Sequence, residues 1–168
     1  VAMTVADLVA PQSQLAGMLA ATAALVNFIR MSSWRLHRIL DQPIVWVLFM
    51  GFGFIILGLA VQSISILGGA IERNVADHLL MIGGAGGMTV AVMSRAALGH
   101  TGRVLHAPWP IIGTYVLIGI SALIRASAPV FFMDHYIMLI SVAGSLWALA
   151  FVLFSWVFWP ILTTPRPR

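Results

Sequence analysis

Five long hydrophobic segments fill most of this chain of 168 residues. A transmembrane helix needs about 20 mainly apolar residues to cross a hydrocarbon core of about 30 Å, and each segment is near that length. Because only 8% of the residues are charged, the chain lacks the polar surface of a water-soluble domain. The sequence therefore predicts an all-α, polytopic transmembrane helix bundle, one membrane domain over residues 1–168, with spans near residues 13–30, 44–67, 75–98, 109–126 and 136–160.

The arginines are distributed unevenly between the spans. All nine basic residues are arginine, and seven of them, counting Arg95, lie in the first and third loops or at the C-terminus. Arg73 and Arg125 are assigned to the second and fourth loops. Since cytoplasmic loops carry an excess of basic residues, the chain is predicted to begin outside the cytoplasm and to end inside it. The tryptophans expected at the cytoplasmic boundary support the same orientation: Trp34, Trp46, Trp109 and Trp159.

Several classes of chemistry are excluded by what the sequence lacks. With no cysteine, it has no disulfide, no thiolate metal site and no covalent c-type haem attachment. No phosphate-binding loop, carboxylate pair, His-Glu-x-x-His motif or nucleophile elbow is present, so we assign no catalytic residue. The positive charges lie in the short loops between spans, where they set membrane topology. We therefore expect no nucleic-acid partner.

The third segment carries the most unusual composition. Its charge-free stretch, Leu79–Ser94, has 16 residues, about 24 Å of α-helix, which is shorter than the hydrocarbon core. Polar groups at membrane depth are expensive and tend to mark function. Glycines within this stretch let either a neighbouring helix or a flat porphyrin approach closely, and both interpretations stay open: Gly83, Gly84, Gly86 and Gly87.

His78 and His100 flank this stretch and are candidate metal ligands. They are 22 residues apart, about 33 Å along a helix, so they cannot bind the same metal. Further imidazoles are expected near each, His135 on the side of His78, and His37 and His106 on the side of His100. A histidine at a helix end is commonly an interfacial residue, but in a chain without cysteine imidazole is the natural donor for haem iron or copper.

Arg103 closes the motif Gly99-His100-Thr101-Gly102-Arg103. Its forked guanidinium can bind carboxylates such as haem propionates. The alternative is a glycine helix cap followed by a topology-setting arginine.

Several motifs occur together around the third span: the pairs Met88-Thr89 and Ser94-Arg95, the run Leu98–Arg103, the preceding PIVWVLFMGFGFIILGLA and the later WALAFVLFSWVFWPIL and TPRPR stretches. Together they resemble the C-terminal part of the NnrS family. This resemblance implies a bacterial inner-membrane protein with haem b and copper, linked to denitrification and nitric oxide stress. It implies His78 and His100 as candidate haem or copper ligands. The implied partners are the lipid bilayer, an N-terminal half of the same polypeptide, haem and nitric oxide.

Two functions from other classes remain open on the sequence alone. One is a transporter or channel module without a redox cofactor, which would use the charged edges of the third span. The other is a purely structural membrane subunit.

Overall fold

The computed structural model describes residues 5, 9–10, 12–34, 39, 41–69 and 71–166. Five helices within these ranges are long and apolar enough to cross a membrane, which confirms the predicted all-α transmembrane bundle. The helices are α1 Gln14–Ser32, α2 Pro43–Gly68, α3 Arg73–His78, α4 Gly87–His100, α5 Trp109–Phe131 and α6 Tyr136–Thr163. A π-helical segment, Leu79–Gly86, joins α3 to α4, so that these three pieces form one continuous third span, and a short 3₁₀ turn, Met133–His135, precedes α6.

Local sequence explains where several helices begin and end. The hydroxyl of Ser13 accepts a hydrogen bond from the Ala16 amide at 3.2 Å and caps the start of α1. Pro43 is the first residue of α2, where a missing N–H leaves no partner unsatisfied. Gly69 ends α2 with a φ of 65°, a left-handed conformation that glycine adopts without steric penalty.

Helices α5 and α6 are joined by buried hydroxyl groups. The Thr114 hydroxyl donates to the Ala150 carbonyl at 3.2 Å, and the Ser121 hydroxyl donates to the Ala143 carbonyl at 2.8 Å. The partner number falls as the residue number rises, so the two helices are antiparallel. Hydroxyl-to-carbonyl bonds of this kind hold helices together in lipid, where apolar side chains gain little from contact with each other.

Two prolines differ from the sequence expectation. The predicted fourth span ends near residue 126, before Pro129, and the predicted fifth span ends at Pro160, but both prolines lie inside helices, which continue to Phe131 and Thr163. Proline removes one amide donor, so the carbonyl of Arg125 loses its usual partner in the following turn. Transmembrane helices tolerate proline because nearby groups satisfy the freed carbonyls.

The bundle has two chemically different ends. The arginine-rich end, where α1, α4 and α6 finish, carries the described residues Arg30, Arg103 and Arg166. The acidic end, where α2 and α5 finish, carries Glu72, Asp77 and Asp134. The four tryptophans expected at one boundary all lie towards the arginine-rich end, while Arg35, His37, Arg38 and Arg168 lie outside the described residues.

Candidate functional site

The third span contains the π-helical segment Leu79–Gly86, which covers the first glycines of the cluster. Such segments are rare, and short ones are frequent at functional sites. A π-helix places more residues in each turn than an α-helix does. The relative direction of His78 and His100 therefore cannot be calculated from one uniform α-helix.

The glycines of this span bring it close to α2. A Cβ atom on Gly83 would overlap the Phe54 ring, and a Cβ atom on Gly84 would lie 2.8 Å from the Ile55 Cγ1. The same position on Gly87 lies 3.4 Å from the Gly51 Cα. Side chains of α2 thus occupy the face of Gly83 and Gly84, and these two glycines serve helix packing.

His78 lies at the acidic end, at the junction of α3 and the π-helical segment, and is half-buried. Its Nδ1 lies 2.5 Å from the carbonyl oxygen of Asn74, one turn earlier. Because a carbonyl oxygen only accepts, Nδ1 carries the hydrogen and donates it. The neutral ring then has its lone pair on Nε2. Metal-binding histidines are commonly held in this way, with one ring nitrogen donating to a carbonyl and the other free to bind the metal.

The other histidines are arranged differently. His100 is the last residue of α4 and is exposed, and its carbonyl oxygen accepts hydrogen bonds from Arg166. His106 and His135 are also exposed. Among the described residues, no three histidine or carboxylate side chains come together as a group that could hold a metal ion.

Arg103 fastens the loop after α4 to the end of α6. Its guanidinium donates to the Ile161 carbonyl at 2.9 Å and to the Thr164 hydroxyl at 2.6 Å. The last carbonyls of a helix lack partners within the helix and carry its partial negative charge, which explains why a cation binds there. Its other N–H groups have no partner among the described residues and could still bind a carboxylate.

The ligand number that a single imidazole can supply matches a haem iron and not a multi-ligand metal centre. A haem iron takes one or two protein ligands, and the fixed ring of His78 with its free Nε2 meets that requirement. Haem has no need of a cluster of three ligands. A copper site built from several imidazoles would need histidines that this part of the chain keeps apart.

Arg125 is the polar feature that sequence reasoning misplaced. It was assigned to the fourth loop, but it lies inside α5, six residues before Phe131. The apolar stretch that follows it, Ala126–Phe131, was the signal that the helix continues. Two buried atoms were also missed, the Tyr115 hydroxyl and the Gln62 Oε1, which lack hydrogen-bond partners within the described part of the chain.

Comparisons with known proteins identify the family. No curated protein and no solved structure matches the chain. A family model described as NnrS protein matches residues 1–166, which is nearly the whole chain. The match agrees with the resemblance carried by the third span and with the five membrane-spanning helices. The chain belongs to the NnrS family.

Proposed function

We propose that this chain is part of a bacterial inner-membrane protein that binds haem b and acts in the response to nitric oxide or in denitrification. Membership of the NnrS family supports the biological context. The structural observation that carries the proposal is the imidazole of His78, which is half-buried, held by the Asn74 carbonyl and free at Nε2.

The residues of the third span would hold the cofactor in distinct ways. A bound b-type haem supplies an iron centre that takes diatomic ligands such as nitric oxide. The carbonyl of Asn74 fixes the ring of His78, which reduces the rotational freedom lost when Nε2 binds a metal. His100, exposed at the opposite end, is proposed as a second metal-binding imidazole for haem or copper. Copper binding and the role of nitric oxide rest on family membership alone.

The arginine-rich end is proposed to face the cytoplasm. It carries Arg30, Arg103 and Arg166, and short cytoplasmic loops are enriched in basic residues. Reporter fusions after Arg103 should therefore read cytoplasmic, and fusions after Asp77 and Asp134 should read external. Reversed signals at two of these three positions would overturn the orientation.

The haem proposal is tested by replacing histidines in the full-length protein. His78→Leu keeps apolar bulk but removes the imidazole, so we expect most of the haem at this site to be lost while the protein still accumulates in the membrane. His100→Leu should lower haem or copper content if this residue binds the second metal. Haem is measured by absorbance after acid-acetone extraction, which should release it because the chain has no cysteine for covalent attachment. Copper is measured by elemental analysis.

His135→Leu is the matched control for this experiment. His135 is the imidazole that the sequence places on the same side as His78, but it is exposed and is not one of the two proposed ligands. It should leave haem and copper content unchanged. Full haem and copper content in both His78→Leu and His100→Leu would show that these histidines are interfacial residues.

A transport module is the second candidate function. It is favoured by Arg125, a charged residue inside α5 that lines a cavity. Solute flux through vesicles that contain the metal-free protein would support transport. Loss of flux together with loss of haem would favour the haem proposal instead.

A further inference from the structure

Arg125 lies within the membrane-spanning part of α5. It is six residues, or about 9 Å at about 1.5 Å per residue, from the last residue of the helix, Phe131. It is half-buried, and it makes no hydrogen bond or ion pair with any residue that the structure describes. A charged group at this depth is expensive unless it faces a bundle interior or a cavity and finds a partner. The guanidinium of Arg125 therefore has donors free, among the described residues, for an anionic ligand near this end of the helix.

A cavity of about 200 Å³ lies beside this arginine, between the third span, α5 and α6. Its polar lining consists of Ser121, Arg125 and Trp147. The remaining lining residues are apolar: Ile82, Ile140, Ala143 and Gly144. The volume is below the range of about 300–1,000 Å³ typical of pockets for drug-sized ligands. The cavity therefore suits a small polar group better than a large planar cofactor.

Three of the residues that line this cavity carry hydrogen-bonding groups at its margin, while the cavity surface itself is mainly apolar. The hydroxyl hydrogen of Ser121 is already donated to the Ala143 carbonyl at 2.8 Å. The indole N–H of Trp147 makes no hydrogen bond with the described residues, and the guanidinium of Arg125 is also free among them. No carboxylate of the described part of the chain lines the cavity. Two free donors, one of them charged, in an otherwise apolar site favour an oxyanion.

We propose that this cavity binds a phosphate-type oxyanion, with Arg125 as the charged donor and Trp147 as the second donor. The ligand is either the phosphate of an anionic lipid headgroup or a free phosphate ion. A lipid would place its phosphate near Arg125 and its apolar part along Ile82 and Ile140, whereas a free ion would occupy the cavity alone. The proposal does not depend on haem binding.

The test measures binding to the full-length protein in detergent by titration calorimetry. The probes are inorganic phosphate, dioctanoyl-phosphatidylglycerol and, as a lipid without net charge, dioctanoyl-phosphatidylcholine. We expect Arg125→Gln to weaken binding of the anionic probe by about tenfold or more, because a hydrogen bond to a charged group is lost. Trp147→Phe keeps the ring but removes the N–H, and should weaken binding by about two- to tenfold.

Two matched variants control for general effects. Arg30→Gln removes the same charge at the opposite end, where the guanidinium lies 5.9 Å from the Trp34 ring centroid, and should leave binding unchanged. Trp156→Phe alters an indole that is 68% exposed and lies outside the cavity lining, and should also leave binding unchanged. Arg125→Lys retains the charge and should fold and bind in part.

Each outcome decides the proposal. Binding of phosphatidylglycerol that is lost in Arg125→Gln, with or without weaker binding of inorganic phosphate, identifies a lipid headgroup. Binding of inorganic phosphate but not of phosphatidylglycerol, lost in the same variant, identifies a free ion. Equal affinity for the anionic and uncharged lipids, unchanged affinity in Arg125→Gln, or no binding of either anion would overturn the proposal.

Discussion

The two ends of the third span are held by different kinds of contact. At the acidic end, glycines of the π-helical segment lie against Phe54 and Ile55 of α2, and the His78 ring is tied to its own helix. At the arginine-rich end, Leu98 is buried in the same apolar cluster as Ile44 and Phe158, and cations add hydrogen bonds to main-chain carbonyls. Arg166 donates to the His100 carbonyl at 3.0 Å through Nε, and Arg103 donates to the Ile161 carbonyl at 2.9 Å.

Because of this difference, the imidazole of His78 is preorganised and the imidazole of His100 is not. The hydrogen bond to the Asn74 carbonyl orients the His78 ring, so the direction of its Nε2 is largely set before any ligand arrives. At the other end, Arg166 holds the backbone of His100 and not its ring, which stays exposed. The geometry therefore favours His78 over His100 as the stronger of the two candidate ligands.

The largest effect is expected at the glycine contact. Gly83→Leu would drive a side chain into the Phe54 ring, and we expect it to destabilise the bundle by about 3 kcal/mol or more, the upper end of overpacking effects. The measurement is the fraction of folded full-length protein during titration with a denaturing detergent. The same variant should also lower haem content, because it displaces the helix that carries His78.

Gly99→Leu is the matched control at the arginine-rich end of the span. Among the described residues, no atom from outside its own helix turn lies within 4 Å of the position that a Cβ on Gly99 would take, so this change should be tolerated. Equal stability of Gly83→Leu and Gly99→Leu would show that the two ends do not differ in packing.

The fold could be predicted from the sequence because the bilayer imposes simple rules. Apolar segments of sufficient length predicted five spans, and the described residues form five helices long and apolar enough to cross a membrane. The end of α5 was predicted near residue 126 but lies at Phe131, because proline at position 129 was taken as a boundary. The π-helical segment could not be predicted, because glycines and apolar residues have no periodicity that distinguishes it from an α-helix.

The candidate site could be predicted only in part. The sequence predicts His78 and His100 as candidate ligands, but the hydrogen bond between His78 and the Asn74 carbonyl depends on side-chain orientation. The partners of Arg103 are far away in the chain, at Ile161 and Thr164, and only the antiparallel packing of helices brings them together. Local sequence patterns carry no information on such pairs.

A smaller effect is expected at the arginine-rich end. Arg103→Gln removes the charged donor to the Ile161 carbonyl and the Thr164 hydroxyl, so the end of α6 should loosen at a cost of about 1–3 kcal/mol. The change should lower the thermal midpoint of the full-length protein in detergent and speed proteolysis of the tail after Thr164. Thr164→Val removes only one of these bonds and should have a smaller effect. Because the His78 ring is held at the opposite end, Arg103→Gln should leave haem bound at His78 in place, and loss of that haem would show that the two ends are coupled through the span.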